Sequence, residues 1–152
     1  MRVLVTGATG TIGANVVRRL VAEGHEVRAQ VRPESRRLGR IPASGVEIRA
    51  VDLRDREGLG SLVDGVAGIV HLAALVPRTG ADAMGYVDFN VAATAVLLEA
   101  SRRSGRIERF VYASSTVLYP QEGFRAEPFL ERDKKIRPVG MYAVSKLAGE
   151  LL

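Results

Sequence analysis

Short apolar runs alternate along the chain with longer segments of helical periodicity. "RVLVT" (2–6) is a β-branched apolar run that predicts a strand, and a Gly-rich turn follows it. In "TIGANVVRRLVAEG" (11–24), Ile12, Val16, Val17, Leu20 and Val21 recur at helical spacing, and Gly24 supplies a C-terminal stop. "EVRAQVR" (26–32) and "VEIRAVDL" (46–53) predict a second and a third strand, with a short, Gly-weakened helix in "REGLGSLVDG" (56–65). "AGIVHLAAL" (67–75) is apolar almost throughout, as a strand covered on both faces would be. "AMGYVDFNVAATAVLLEASRRSG" (83–105) is the longest helical pattern and stops at Gly105, after which "ERFVYASS" (108–115) predicts a fifth strand. A last helix begins near Val139–Tyr142 and is still running at Leu152.

Strands and helices alternating at this pitch predict an α/β fold, a doubly wound, Rossmann-like parallel sheet with helices on both faces. Right-handed crossovers leave few topologies, and the expected strand order is 3-2-1-4-5. There are no repeats, low-complexity segments or internal linkers, so residues 1–152 are expected to form one domain.

Composition narrows the function classes. Hydrophobic residues make up 47% and charged residues 26%, an ordinary globular balance. No apolar stretch approaches the ~20 residues of a membrane span, and "MRVLVTG" enters a strand without the features of a signal peptide. The chain has no Cys, which excludes disulfides and thiol catalysis and fits a reducing cytoplasm. His25 and His71 stand far apart with no ligand-like spacing, which argues against a metal site. The net charge of +5 is carried mostly by Arg; the one dense run, "RPESRRLGR" (32–40), holds no aromatic residue. That pattern points to solvated faces and one local phosphate site, not to nucleic acid.

"VTGATGTIG" (5–13) places Gly7, Gly10 and Gly13 between the first strand and the first helix. The first Gly allows a tight turn, the second lets backbone approach a pyrophosphate, and the third permits close packing of helix on strand. The amides at the helix start, around Thr11 and Ile12, would face the anion with the helix dipole behind them. A dinucleotide is the expected ligand, the alternative being a purely structural turn. At the other end of the chain, Tyr142 and Lys146 stand at i and i+4 and share one helix face. A tyrosine near its ordinary pKa of ~10 is a poor base at neutral pH, and a nearby ammonium favours the phenolate. Such a pair can take a hydroxyl proton and return it.

The G-x-x-G-x-x-G spacing resembles the short-chain dehydrogenase/reductase superfamily, and more closely its extended branch, the NAD(P)-dependent epimerase/dehydratase family. The resemblance covers the whole chain and implies roles for further residues. In "VDL" (51–53), Asp52, followed by Leu53, would accept from the adenine amino group. In "HLAA" (71–74), Ala73 and Ala74 would let ribose and pyrophosphate lie against backbone. Asn90 of "YVDFNVAAT" (86–94) matches the family's Asn-Val-x-Gly-Thr helix, with Ala93 in place of the Gly. It is either part of the catalytic group or a structural bracket between strands.

"YASSTVLYP" (112–120) resembles the family's serine motif and puts Ser115 at the catalytic position. Ser114 and Thr116 are expected to hold the turn, and Pro120 stands where relatives have Gly. Ser115 would hold the substrate oxygen in line, and Lys146 would also bond the nicotinamide ribose. Glu131 and Pro138 precede Tyr142 at the family's intervals. The chain has Thr116-Val117 where 4,6-dehydratases carry Asp-Glu after their Thr, which counts against that reaction. Relatives that prefer NAD carry an Asp near the end of strand two; here Val31 occupies the position and Arg32 follows. Arg32, with Arg36 or Arg37 behind it, could grip a 2′-phosphate, so NADP(H) is favoured over NAD(H).

The resemblance implies an oxidoreductase or epimerase with a sugar-nucleotide or carbonyl/alcohol substrate. The alternatives are a nicotinamide-binding module without turnover and an inactive fragment. Relatives are about twice as long, so the chain is expected to be the cofactor half of an enzyme, cut within the Tyr-Lys helix and lacking its substrate domain. The helices of Asn90 and Tyr142 form a dimer-building face in relatives, which makes a homodimer the expected assembly.

Overall fold

Alternation along β1 (Arg2–Thr6), the central strand, divides the core in two: Leu4 packs on one face of the sheet, and Val3 and Val5 pack on the other. The computed structural model describes residues 1–119 and 135–152. β2 (Glu26–Val31), β3 (Val46–Ala50), β4 (Gly68–His71) and β5 (Arg109–Tyr112) complete a sheet in the order β3-β2-β1-β4-β5. Every neighbouring pair is parallel, which is the topology expected from the sequence. β3, β4 and β5 end a few residues earlier than their apolar runs. After β4 the reason is local: Leu72 and Ala73 turn their N–H groups to the Thr6 hydroxyl.

Helix α1 (Thr11–Ala22) covers the Val3/Val5 face, with Val17 fully buried and Val16, Leu20 and Val21 packed at its edge. Ile12 departs from the expected apolar stripe and is 67% exposed. Gly13 and Ala14 bury the first turn, and that orientation turns Ile12 outward.

The opposite face is covered by α2 (Arg56–Val63) and the long helical segment that follows β4. Leu59, Leu62, Ala93 and Leu97 pack with Leu53 against Leu4 and Ile69. Asp55 caps the start of α2 by accepting from the Gly58 N–H at 3.1 Å. The end of α2 is capped by Arg28, which is 3% exposed and donates to the carbonyls of Leu62 and Asp64 at 2.8 Å each. Its charge is balanced by Glu47 at 3.0 Å, so Arg28 is a core cap and not part of a solvated basic face.

The predicted helix over 83–105 is one continuous segment in three parts. α3 (Ala83–Tyr86) passes into a π-helical turn (Val87–Ala92) and then into α4 (Ala93–Ser104), which Gly105 ends in the left-handed conformation. A π turn holds one more residue than an α turn and is common at functional sites. Asn90, 2% exposed, sits inside it. Finally α5 (Gly140–Leu151) packs against the π turn and against a 3-10 turn (Thr116–Leu118) beyond β5. No helix among the described residues is long and apolar enough to cross a membrane.

Candidate functional site

A cleft of about 580 Å³ opens at the C-terminal ends of β1, β2 and β4, where the connections from β1 and β4 leave on opposite faces of the sheet. Gly7, Gly10, Thr11, Arg32, Ala73 and Ala74 all line it. The turn that builds it depends on close backbone contact. Gly7 has φ of 66°, and a Cβ there would stand 2.9 Å from both the N and the Cα of Ala73. A Cβ on Gly13 would overlap the Gly7 carbonyl oxygen. The start of α1 has no side-chain cap and no acidic residue in its first turn. Its positive dipole end therefore meets no carboxylate from its own first turn. Gln30, which the sequence pattern did not single out, fixes the turn. It is 2% exposed, accepts from the Gly7 N–H at 3.0 Å, and donates to the Val51 carbonyl at 2.6 Å.

Arg32, Arg36 and Arg37 lie on one rim of the cleft, beside Glu34, which Arg32 approaches to 3.7 Å. Val31, which ends β2, is buried, and the carboxylate on this rim is that of Glu34. Asp52 and Leu53 do not line the cleft. Leu53 is a core residue, and Asp52 pairs with Arg54 at 2.6 Å, which holds its carboxyl below the usual range. Ile12 likewise stands outside the cleft. A separate groove of about 680 Å³ between α2 and α4 shares no residue with it.

The second group of residues gathers where α5 meets the π turn. Asn90 is bonded on every side: its Oδ1 accepts from Leu75 N–H at 2.8 Å, and its Nδ2 donates to the Leu75 carbonyl at 3.0 Å and to Ser145 Oγ at 2.9 Å. Ser145 in turn donates to the Tyr142 carbonyl at 2.8 Å. These contacts tie the loop after β4 to α5. The ring of Tyr142 lies 6.2 Å from that of Tyr86. Ser115 precedes the 3-10 turn against which α5 packs, and its Oγ accepts from Val117 N–H at 3.4 Å. Ser115 thus makes a turn cap of the kind expected of its neighbours. Glu131 and Pro120 lie outside the described residues.

Lys146 is the electrostatic centre of this group. It is 3% exposed, and its Nζ stands 4.0 Å above the ring of Tyr112, a cation–π arrangement. Burial pushes its ammonium down to about 8, against an opposing pull from Glu150. Burial pushes Tyr112 up to about 12, and its hydroxyl has no hydrogen-bond partner among the described residues. Thr6, His71, Thr94, Ser145 and Tyr112 were missing from the expected site. Their common signal is a polar side chain inside or closing an apolar run.

The family model described as "NAD dependent epimerase/dehydratase family" matches residues 3–152. Sterol demethylase protein B of Methylococcus capsulatus is 41% identical over 115 residues, which cover 76% of this chain and 34% of that protein. The putative dihydroflavonol 4-reductase of a Synechocystis species is 35% identical over 150 residues, 96% of this chain and 42% of that one. Among solved structures, the UDP-glucose 4-epimerase of Thermus thermophilus in complex with NAD superposes with a TM-score of 0.83 at 35% identity. That match covers 99% of this chain and 49% of the epimerase. The chain thus spans half or less of the length of each of these relatives.

Proposed function

This chain belongs to the NAD dependent epimerase/dehydratase family, and from that premise we propose that it binds a nicotinamide dinucleotide in the Gly-lined cleft and carries the Ser-Tyr-Lys group of a hydride-transfer site. One observation carries the proposal: the uncapped, carboxylate-free start of α1 opens on a cleft whose floor is the tight Gly7–Ala73 contact. A pyrophosphate fits that cradle, and the Lys146 ammonium, which makes no hydrogen bond among the described residues, fits a ribose hydroxyl. The bound nicotinamide would supply hydride acceptance and return.

The chain's own residues do the proton work. Ser115 holds the substrate oxygen, Tyr142 takes its proton and gives it back, and Lys146 stabilises the negative charge that develops on Tyr142. Asn90 holds α5 at the cleft through Leu75 and Ser145. Asp52, paired with Arg54 and outside the cleft lining, would have to be reached by the adenine amino group from beyond the cleft, and Leu53 serves the core. The backbone amides of Ile12 and Gly13, in the first turn of α1, would face the phosphates although neither residue lines the cleft.

NADP(H) is the favoured form. Arg32, Arg36 and Arg37 on the rim, with Val31 in place of a carboxylate, support that preference. The whole protein would act on a sugar nucleotide or a carbonyl/alcohol substrate as an oxidoreductase or epimerase. A homodimer through α4 and α5 and a cytoplasmic location belong to the same proposal, the latter supported by the absence of Cys.

Titration of the chain with NADPH and with NADH, followed by nicotinamide fluorescence, tests the cleft. Saturable binding that favours NADPH is expected; preference for NADH removes the Arg32 argument, and no binding removes the proposal. Tyr142→Phe in the whole protein should abolish turnover and leave dinucleotide affinity within about twofold. Turnover that survives sinks the catalytic assignment.

A further inference from the structure

His71 closes β4 and is 1% exposed, yet none of the proposed chemistry uses it. In register it stands between Thr6 of β1 and Tyr112 of β5, so the three form one row across the C-terminal edge of the sheet. Both ring nitrogens are engaged: Nδ1 with Thr6 Oγ1 at 2.6 Å and Nε2 with Thr94 Oγ1 at 2.9 Å.

The direction of these bonds follows from proton counting. The Thr94 hydroxyl has one proton and donates it to the Asn90 carbonyl at 2.7 Å. Thr94 must then accept from His71, which puts the ring proton on Nε2. Nδ1 is left as an acceptor, so Thr6 donates to it. The Thr6 oxygen in turn accepts the N–H groups of Leu72 and Ala73, each at 3.2 Å. Leu72, Ala73 and Leu75 all line the cleft. At the other end, the Asn90 side chain holds Leu75 and Ser145, and Ser145 holds the Tyr142 carbonyl. A single polar chain therefore runs from the cleft floor, through His71, to the helix of Tyr142 and Lys146.

We propose that His71, as its Nε2–H tautomer, is a positioning residue that locks the loop 72–75 under the dinucleotide to the π turn and, through Asn90 and Ser145, to α5. The role rests on the proposed reading of the cleft as a dinucleotide site. The surroundings of the ring support it. Thr6 and Thr94 meet its edges, the rings of Phe110 and Tyr112 lie 6.1 and 5.8 Å away, and the charge that acts on it is Lys146 of α5. Burial, followed by that positive charge, pushes His71 down to about 4, so the neutral ring persists at physiological pH. A second ring proton would face the Thr6 hydroxyl and force it to surrender its own donor bond.

The test uses the 152-residue chain labelled with ¹⁵N. Long-range proton–nitrogen spectra of the imidazole are followed from pH 5.5 to 8, and amide exchange is compared between the wild type and Thr94→Val. The expected result is the Nε2–H tautomer without titration. With it, Ala73 and Leu75 amides in the variant should lose at least tenfold more protection than core amides such as Leu4. The Nδ1–H tautomer, titration near the ordinary histidine value, or protection that changes uniformly overturns the proposal.

Fluorescence titration of the same proteins with NADPH and NADH supplies a functional readout. Thr94→Val should weaken binding at least fivefold, and His71→Gln, which keeps a donor toward Thr94, should retain affinity that His71→Leu loses. Equal affinity in all of them overturns the positioning role. If the wild type binds neither dinucleotide, the cleft reading fails, and the exchange pattern alone decides whether the polar chain couples loop to helix.

Discussion

Gly7 and Gly105 share a backbone conformation and differ in what surrounds it, so alanine at each separates two costs. Their φ angles are 66° and 62°. A Cβ on Gly105 would meet nothing within 4 Å, whereas on Gly7 it would stand 2.9 Å from the Ala73 backbone. The left-handed region costs an L-residue roughly 1–2 kcal/mol, and alanine recovers about 0.4–1 kcal/mol by narrowing the unfolded ensemble. Gly105→Ala should therefore destabilise by about 1 kcal/mol. Gly7→Ala carries the same cost plus overpacking, typically 1–3 kcal/mol, for a total of about 2–4 kcal/mol. The loop cannot retreat freely, because the Ala73 N–H is held by Thr6 and Thr6 by His71. Urea denaturation at neutral pH measures both variants, and titration with NADPH and NADH follows the cleft. Gly7→Ala should lose at least tenfold in dinucleotide affinity while Gly105→Ala keeps it. If the two variants agree in stability to within about 0.5 kcal/mol and in affinity, the Gly7–Ala73 contact does not shape the cleft.

Two further outcomes follow from the charges of the site. Lys146 falls from its ordinary 10.5 to about 8, so between those values the unfolded chain binds more protons and stability rises with pH. At pH 7 the buried ammonium bears its full cost, and Lys146→Met should stabilise the chain by about 1–3 kcal/mol; a loss of stability in urea denaturation would refute that account. Arg32→Ala should weaken NADPH binding about tenfold or more by removing a charge-assisted contact, and leave NADH within about twofold. Equal effects on the two dinucleotides would mean that Arg32 does not face the 2′-phosphate.

The sheet order and both helix-covered faces were legible because β-branched runs and helical stripes differ in period, and the glycine turn carries its own steric logic. Local detail was less legible where one residue type serves two purposes. Arg28 lies in a strand pattern like any solvated Arg, and only the fold brings the last carbonyls of α2 to it. Ile12 fits the apolar stripe of α1 by spacing, but the burial of Gly13 and Ala14 rotates it outward. The π turn has no compositional signal: Asn90 could be named from its motif, but that its amide would be fully bonded needed the positions of Leu75 and Ser145. Gln30 and His71 stood in plain view as polar residues in apolar strands. Their partners come from β1 and the turn after it, from the residue that follows β3, and from α4, too distant in sequence for any local pattern to name.

The buried ammonium also links proton binding to dinucleotide binding. A cation–π contact with Tyr112 returns only ~0.5–2 kcal/mol of what desolvation costs Lys146. That shortfall is why its value lies near 8 in the free chain. A ribose hydroxyl accepting from Nζ would stabilise the charged form, so in the proposed complex the Lys146 value must rise. By linkage, affinity is greatest below the free value and declines as pH climbs through it, by up to about tenfold per pH unit until the bound value is reached. Dissociation constants for NADPH and NADH measured at pH 7, 8 and 9 should therefore weaken steadily for the wild type. Lys146→Met should bind more weakly at pH 7 and show no such trend. A wild-type affinity that stays flat over this range would mean that Nζ does not bond the dinucleotide, and the role of Lys146 would then reduce to its field on Tyr142.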